Sequence, residues 1–466
     1  MTQGFRSTFA VFGVRNYRLF WVGGVISNTG RWCQAVAIPI VVWGLTDSAG
    51  WVGLAGFAQI MPMAVMGPVG GAIADRYQRR RVLIATQSLQ ACSATGLALL
   101  WFGGVRSPTA YVAMSVLVGL TAGLNLPAWQ AIVSELVPRQ MLLAGITLNS
   151  AQFNASRMIG PALAGLLIDA WGPGWAFVAN AVSYSAVLYG LARMRMARRH
   201  VSVDGRMRPV SEFLHAARYC AANRGIRTAI ATVSLVGFFG LSLQLLSVAI
   251  VEDVHQYDER GFGLLLSCVG LGAVLASPFV ASSAVRFARS RIVAVALVLY
   301  AAGSLVIAFA PWFTLVLVGG FAMGVAHIAT GSTLNTAIQL QVDEAIRAKV
   351  LAVFLMMLTA SNPAGQLVLG WLIDAAGPRA AYAVAGGAFV LIAAWLAASG
   401  RLAGLDLEGG GYEPASLAEV HPSTPAPPPG YGDSSESSAS AASASAAASS
   451  ASSSSPRSSS GSSSRR

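Results

Sequence analysis

Apolar stretches long enough to cross a bilayer recur about a dozen times along this chain, near 18–45, 51–74, 82–104, 109–133, 142–169, 174–192, 226–252, 261–283, 291–310, 313–340, 349–374 and 378–400. A hydrocarbon core of ~30 Å needs about 20 apolar residues of helix. Runs this long and uniform exclude the short alternating strands of a barrel, so each span must satisfy its backbone as a helix. Only 11% of the residues are charged, against about 25% in soluble proteins. The chain is therefore expected to be an all-α, polytopic membrane protein whose partner is the lipid bilayer. The opening "MTQGFRSTFAVFGVRNYRLF" lacks the short apolar core and small-residue cleavage site of a removed leader, so none is expected.

Charge then orients the spans. One side receives Arg6, Arg15, Arg18, the run Arg76 to Arg81, Arg139, the 193–227 segment, Arg286, Arg289, Arg291, Arg347 and Lys349; the other receives Asp47, Glu252, Asp253, Asp258 and Glu259 beside Arg106, Arg260 and Arg379. By the positive-inside rule the basic side is cytoplasmic, which puts both termini there. The net charge of +12 is thus a topology signal rather than a nucleic-acid surface, and no nucleic-acid partner is expected. The expected organisation is an N-terminal segment 1–17, a six-helix half over 18–192, a cytoplasmic loop over 193–225, a second half over 226–400 and a tail over 401–466. In the loop, Phe213, Ala217, Cys220 and Ala221 share one helical face flanked by basic residues, the pattern of a helix lying on the inner leaflet. The Ser/Ala/Pro-rich tail has nothing apolar to bury and is expected to be disordered. Cys33, Cys92, Cys220 and Cys268 have no metal-ligand spacing and read as small buried hydrophobes. No metal, cofactor, nucleotide-binding loop or catalytic constellation is expected, so the chain does not read as an enzyme.

The two halves repeat. An offset of 210 carries Gln34 to Gln244, Gly53 to Gly263, Pro68 to Pro278, Arg76 to Arg286, Arg79 to Arg289 and Arg81 to Arg291. An offset of 205 carries Gly160, Gly165, Asp169, Gly172 and Pro173 to Gly365, Gly370, Asp374, Gly377 and Pro378, so that "GLLIDAWGP" and "GWLIDAAGP" are the same segment twice. A parallel repeat of this kind places a substrate site between the halves near mid-membrane.

Between the second and third spans stands "GGAIADRYQRRR", with Gly71, Asp75, Arg76, Arg79 and Arg80 in a pattern that resembles the signature loop of the major facilitator superfamily. Gln78 stands where that family usually has glycine, and Val285 replaces the aspartate in the second copy. "NLPAWQAIVSELVP", "LNSAQFNASRMIGPALAGLLID" and "RAKVLAVFL" are similar to the exporter branch that includes the enterobactin exporter and macrolide efflux proteins. The resemblance covers roughly residues 10–400. It implies a twelve-helix fold in two pseudo-symmetric halves, monomeric, exporting a small organic molecule by alternating access, usually in exchange for protons. It also implies that Asp75 and its arginines gate the cytoplasmic side, where the aspartate can meet a helix N-terminus and the arginines can pair with acids.

The resemblance assigns helices one, four, seven and ten to the cavity wall. Polar groups buried in a membrane are expensive, which makes those on these helices site candidates: Asn28, Arg31 and Gln34 on the first, Asn125 and Gln130 on the fourth, Gln244 on the seventh, and His327, Asn335 and Gln339 on the tenth. Helix five adds Gln152 and Arg157. For a single amide, helix–helix hydrogen bonding is an equal alternative; the repeat-related pair Gln34 and Gln244 reads as functional. Arg157 reads either as a tie to a neighbouring helix or as a ligand group, and His327 as a packing histidine or a proton carrier. No Asp or Glu stands at mid-depth in helices one or four, and Arg31 and Arg157 suit a substrate with an anionic or strongly hydrogen-bonding part. An importer on the same fold and a non-transporting membrane sensor or scaffold are the alternatives.

Overall fold

The computed structural model describes residues 9–194 and 209–407. Twelve long helices occupy them: α1 Arg15–Thr46, α2 Ala49–Arg76, α3 Arg79–Phe102, α4 Pro108–Leu136, α5 Leu142–Trp171, α6 Pro173–Arg193, α7 Arg224–Val254, α8 Glu259–Arg286, α9 Arg289–Phe309, α10 Phe313–Gln341, α11 Glu344–Ala376 and α12 Pro378–Ala398. A shorter linker helix, Pro209–Ala222, precedes α7. Several helices outrun their apolar cores; α11 begins five residues before its expected start, because Glu344 and Arg347 remain helical where the backbone is already near water.

The repeated "GP" motif fixes two of the turns. Gly172 and Gly377 end α5 and α11 at φ 89° and 85°, a left-handed region open to glycine, and the following prolines take the first position of α6 and α12. Within the first half α1 packs on α5 and α6, and α2 on α4; within the second, α10 packs on α8 and α9, and α7 on α11. The halves meet along two seams, α2 against α11 and α5 against α8. These seams are repeat mates. A Cβ on Gly263 would lie 2.6 Å from the Pro161 carbonyl oxygen, and one on Gly370 would lie 2.6 Å from that of Ala49. Only glycine lets the backbones approach so closely.

Helix α7 is irregular: Val236–Leu241 and Ile250–Val254 are π-helical turns on either side of Ser242–Ala249, the stretch that carries Gln244. Such bulges reorient side chains and gather at functional sites.

Three expectations are corrected. Residues 401–407 do not belong with the tail: Arg401–Leu405 forms a 3₁₀ turn that buries Leu402 and Leu405, and the Gly404 carbonyl accepts from Gln341 Nε2 at 2.9 Å. Two spaced leucines give this turn the apolar side that the rest of the tail lacks. The linker helix rests on α7 and α11, so Cys220 of the face expected to meet lipid is packed against protein instead. Its buried pair is Ala216 and Cys220, one turn apart, while Ala221 is exposed. Cys92 is exposed on α3, so not every cysteine is a core residue. Phe213, the segments 1–8 and 195–208, and the tail from 408 onward, with its expected disorder, lie outside the described residues or side chains.

Candidate transport site and gate

Ten of the twelve long helices are apolar enough by composition to read as spans; the two that fall short are α1 and α5. These two carry Arg31 and Arg157, each near its helix midpoint. A helix that polar is tolerated in a membrane only where its polar face meets protein or a water-filled space.

Arg157 lies at the centre of a group drawn from both halves. Its Nη2 donates to Gln244 Oε1 of α7 at 3.3 Å, and its guanidinium sits 5.9 Å from the centroid of the Trp32 ring on α1. Its charge is close enough to act on Tyr300 and His327, and the Tyr300 hydroxyl and His327 Nδ1 are 3.0 Å apart. Tyr300 in turn stacks on Phe389 with centroids 4.7 Å apart. Arg31 is partly buried, with its guanidinium 5.9 Å from the Phe153 centroid on α5. Around Arg157, two further donors are buried without a partner, Trp32 Nε1 and Gln244 Nε2. An orphaned buried donor costs roughly 1–3 kcal/mol. The group therefore carries positive charge and two buried donors that no acceptor among the described residues satisfies.

The other candidates divide. Asn125 turns away from the interface between halves: its Oδ1 accepts from Thr86 Oγ1 at 2.8 Å and from Gln87 Nε2 at 3.4 Å, tying α4 to α3. Gln34 accepts from Asn180 Nδ2 at 2.7 Å and so ties α1 to α6, and among the described residues no hydrogen bond joins it to Gln244. Asn28 is buried on α1, and Gln130 is exposed. Gln152 is 1% exposed beside Gly24 and Trp129, with both ends of its amide unpartnered. Asn335 and Gln339 bond to each other near the basic end of α10.

The signature loop acts inside its own half. Arg79 Nη1 pairs with Glu135 Oε1 at 2.9 Å and donates to the Ala131 carbonyl at 3.0 Å, while Arg80 donates to the carbonyls of Leu191 and Ala192 at 2.6 and 2.9 Å. The loop thereby clamps α3 to α4 and α6. Asp75 and Arg76 are exposed, and a Cβ on Gly71 would meet nothing within 4 Å.

The halves are latched at the opposite, acidic end by two repeat-related aspartates. Asp374, in the last turn of α11, accepts from Ser48 Oγ at 2.6 Å, Ala49 N at 2.7 Å and Gly50 N at 3.0 Å, and so caps the N-terminus of α2. Its repeat mate Asp169, in the last turn of α5, forms an ion pair with Arg260 at the start of α8. The two latches differ in strength. Bonds from a carboxylate to helix N-terminal amides contribute about 1.5–3 kcal/mol, and the helix dipole adds to them. The Arg260 side chain is 54% exposed, and a pair that wet is worth about 0–1 kcal/mol. Towards the basic end the seam between α2 and α11 loses contact: a Cβ on Gly53 or Gly56 of α2 would press on Gln366 of α11, whereas one on Gly67 or Gly71 would meet nothing within 4 Å. The donor group thus lies beneath a closed acidic end. The duplication itself was the signal for the latch, since it preserves an aspartate at the same place in both halves.

Residues 6–408 match the sequence profile of a family described as transmembrane secretion effectors. The chain belongs to this family of major facilitator transporters. It is 24% identical over 374 residues to the multidrug efflux pump Tap of Mycobacterium tuberculosis, a match covering 77% of this chain and 87% of Tap. It is 25% identical over 263 residues to the enterobactin exporter EntS of Salmonella choleraesuis, covering 56% of this chain and 62% of EntS. Among solved structures, a mutant of the nucleoside transporter NupG superposes with a TM-score of 0.72 at 12% identity, over 82% of this chain and 99% of NupG. The last likeness shows the fold alone. The protein is a multi-pass membrane transporter of the efflux type, and not an enzyme.

Proposed function

We propose that this transporter moves a small organic molecule with an anionic or acceptor-rich group from the cytoplasm outward across the plasma membrane, by alternating access and in exchange for protons. The arginine-rich end is then the cytoplasmic end, in line with positive-inside charge bias, and the conformation described here faces the cytoplasm. The observation that carries the reading is the donor-rich group around Arg157. Its guanidinium bonds Gln244 of the other half and lies beside Trp32, and Trp32 Nε1 and Gln244 Nε2 are buried donors without a partner among the described residues. A carboxylate, catecholate or similar group would give these donors the acceptor they lack, and Trp32 and Phe153 offer apolar surface to the rest of the molecule. Because α5 and α7 belong to opposite halves, a ligand bridging them would bias the equilibrium between the two openings.

The names of the relatives, a multidrug efflux pump and an enterobactin exporter, support the outward direction and an organic substrate. In the opposite state, Asp75 would meet the N-terminus of a facing helix as the basic end closes, while Asp169 and Asp374 let go. The decisive experiment compares metabolites retained and released by cells with and without the gene, then follows the identified compound into inverted membrane vesicles. Uptake driven by an inward-acid gradient and abolished by a protonophore is expected. Uptake indifferent to the gradient would overturn proton exchange, and absence of uptake would overturn export.

A further inference from the structure

A second concave site lies on the second half, away from the interface between halves. Helices α8 and α9 splay apart over α10 and leave a groove of about 620 Å³. Its walls are apolar, with Leu275 and Phe279 from α8, Val295 and Leu299 from α9, and Phe321 and Val325 from α10. Phe279 and Val295 are 71% and 62% exposed, so the groove opens to the membrane rather than to the protein core. From Leu275 to Phe287 it follows α8 and its C-terminal cap through twelve residue steps, ~18 Å at helical rise. One leaflet of a ~30 Å hydrocarbon core is about 15 Å deep, so the groove spans a single leaflet, the one on the basic side.

Its charged lining residue is Arg291, at the basic end of the groove. Arg291 is exposed, and no ion pair involves it among the described residues. The neighbouring acid is already engaged: Asp406 Oδ1 accepts from Ser290 N at 3.0 Å, and its carbonyl accepts from Arg289 at 3.0 Å. The exposed Arg286 adds positive charge across the short α8–α9 turn. An apolar trough one leaflet deep, ending in a free guanidinium at headgroup level, has the shape and charge of an anionic phospholipid.

We propose that this groove holds one anionic phospholipid, an acyl chain lying along α8 and α9 and the phosphate held by Arg291. The site is independent of the transport reading, because it lies wholly on one half and touches none of the residues around Arg157. Its test uses the full chain purified in detergent and offered phosphatidylglycerol and phosphatidylcholine with identical acyl chains, with retained lipids counted by native mass spectrometry. Wild type should retain one phosphatidylglycerol with a preference of at least about fivefold over phosphatidylcholine, the scale of one headgroup-level arginine. Arg291→Gln should abolish that preference, while Arg286→Gln, outside the groove lining, should keep most of it. Val280 of α8 also lines the groove, so Val280→Trp, which fills the trough with Arg291 intact, should remove the retained lipid of either kind. Equal retention of the two lipids by wild type would reduce the groove to a non-selective lipid contact and overturn the proposal. So would an unchanged preference in Arg291→Gln, a surface change that leaves the packed helices untouched.

Discussion

Gln34 and Gln244 occupy equivalent positions of the repeat, yet they do different work. Gln34 is spent on Asn180 of α6, whereas Gln244 reaches Arg157 across the interface between halves. The sequence made both polar positions visible, but which face of a helix looks into the cavity depends on how it packs against its neighbours. A rotation of one residue, 100°, reassigns the role. The same ambiguity moved the buried face of the linker helix to Ala216 and Cys220, and it hid Trp32 and Tyr300, which an apolar stretch does not distinguish from core. Two substitutions separate the roles. Arg157→Ala removes hydrogen bonding by a charged donor worth about 1.5–3 kcal/mol, so initial export rates at low substrate should fall roughly 10- to 150-fold. Arg157→Lys should recover part of the loss, since it keeps the charge without the planar fork. Gln34→Leu should instead leave the substrate dependence of export alone and lower the melting temperature, because Asn180 keeps a buried donor with no acceptor. Adding Asn180→Leu should restore much of the stability, and a melting temperature unmoved by Gln34→Leu would remove its structural role.

At the scale of elements, the two seams are built alike and close at the same end. Each joins a glycine-lined second helix of one half, α2 or α8, to the fifth helix of the other, α11 or α5. Each is finished by an aspartate on the first turn of that second helix. Asp374 holds its partner through backbone amides and a hydroxyl, and Asp169 through an exposed arginine. Asp374→Ala should therefore open the acidic end more than Asp169→Ala. A loss of about 1.5–3 kcal/mol shifts the balance between the two openings by roughly 10- to 150-fold, against no more than about fivefold for the weaker pair. Labelling of a cysteine introduced in the acidic half of α2, in a chain stripped of its four native cysteines, reads this directly. Equal effects of the two variants would mean that the latches are not ranked by their geometry. Gly53→Val supplies the steric counterpart. A Cβ there collides with the Gln366 carbonyl of α11, whereas one at Gly67 on the same helix meets nothing within 4 Å. Gly53→Val should therefore hold the acidic end open and stop turnover, and Gly67→Val should transport nearly as wild type does.

Over the whole molecule, twelve spans, two halves and their duplication were legible because membrane crossing and repetition are written into the order of residues. The closed end was not. Closure is a relation between helices some 200 residues apart in the chain, and the repeat makes both ends of each seam equally plausible partners. What distinguishes the ends is that Asp169 and Asp374 each find a helix start to hold, while the signature-loop arginines are occupied within their own half by Glu135 and by carbonyls of α4 and α6. If the halves move as rigid bodies about the Arg157 level, the two ends must change in opposite directions. Spin labels at Ser107 and Trp312, in the loops of the acidic end, should move apart when substrate and an outside-acid gradient are supplied in proteoliposomes. Labels at Gln140 and Leu340, near the basic end, should approach each other with the same dependence on substrate. Asp374→Ala should produce part of both changes without substrate, because it weakens the closed acidic end and so favours the alternative. Movement of one label pair without the other would rule out rigid-body exchange and leave local opening of a single seam as the transport motion.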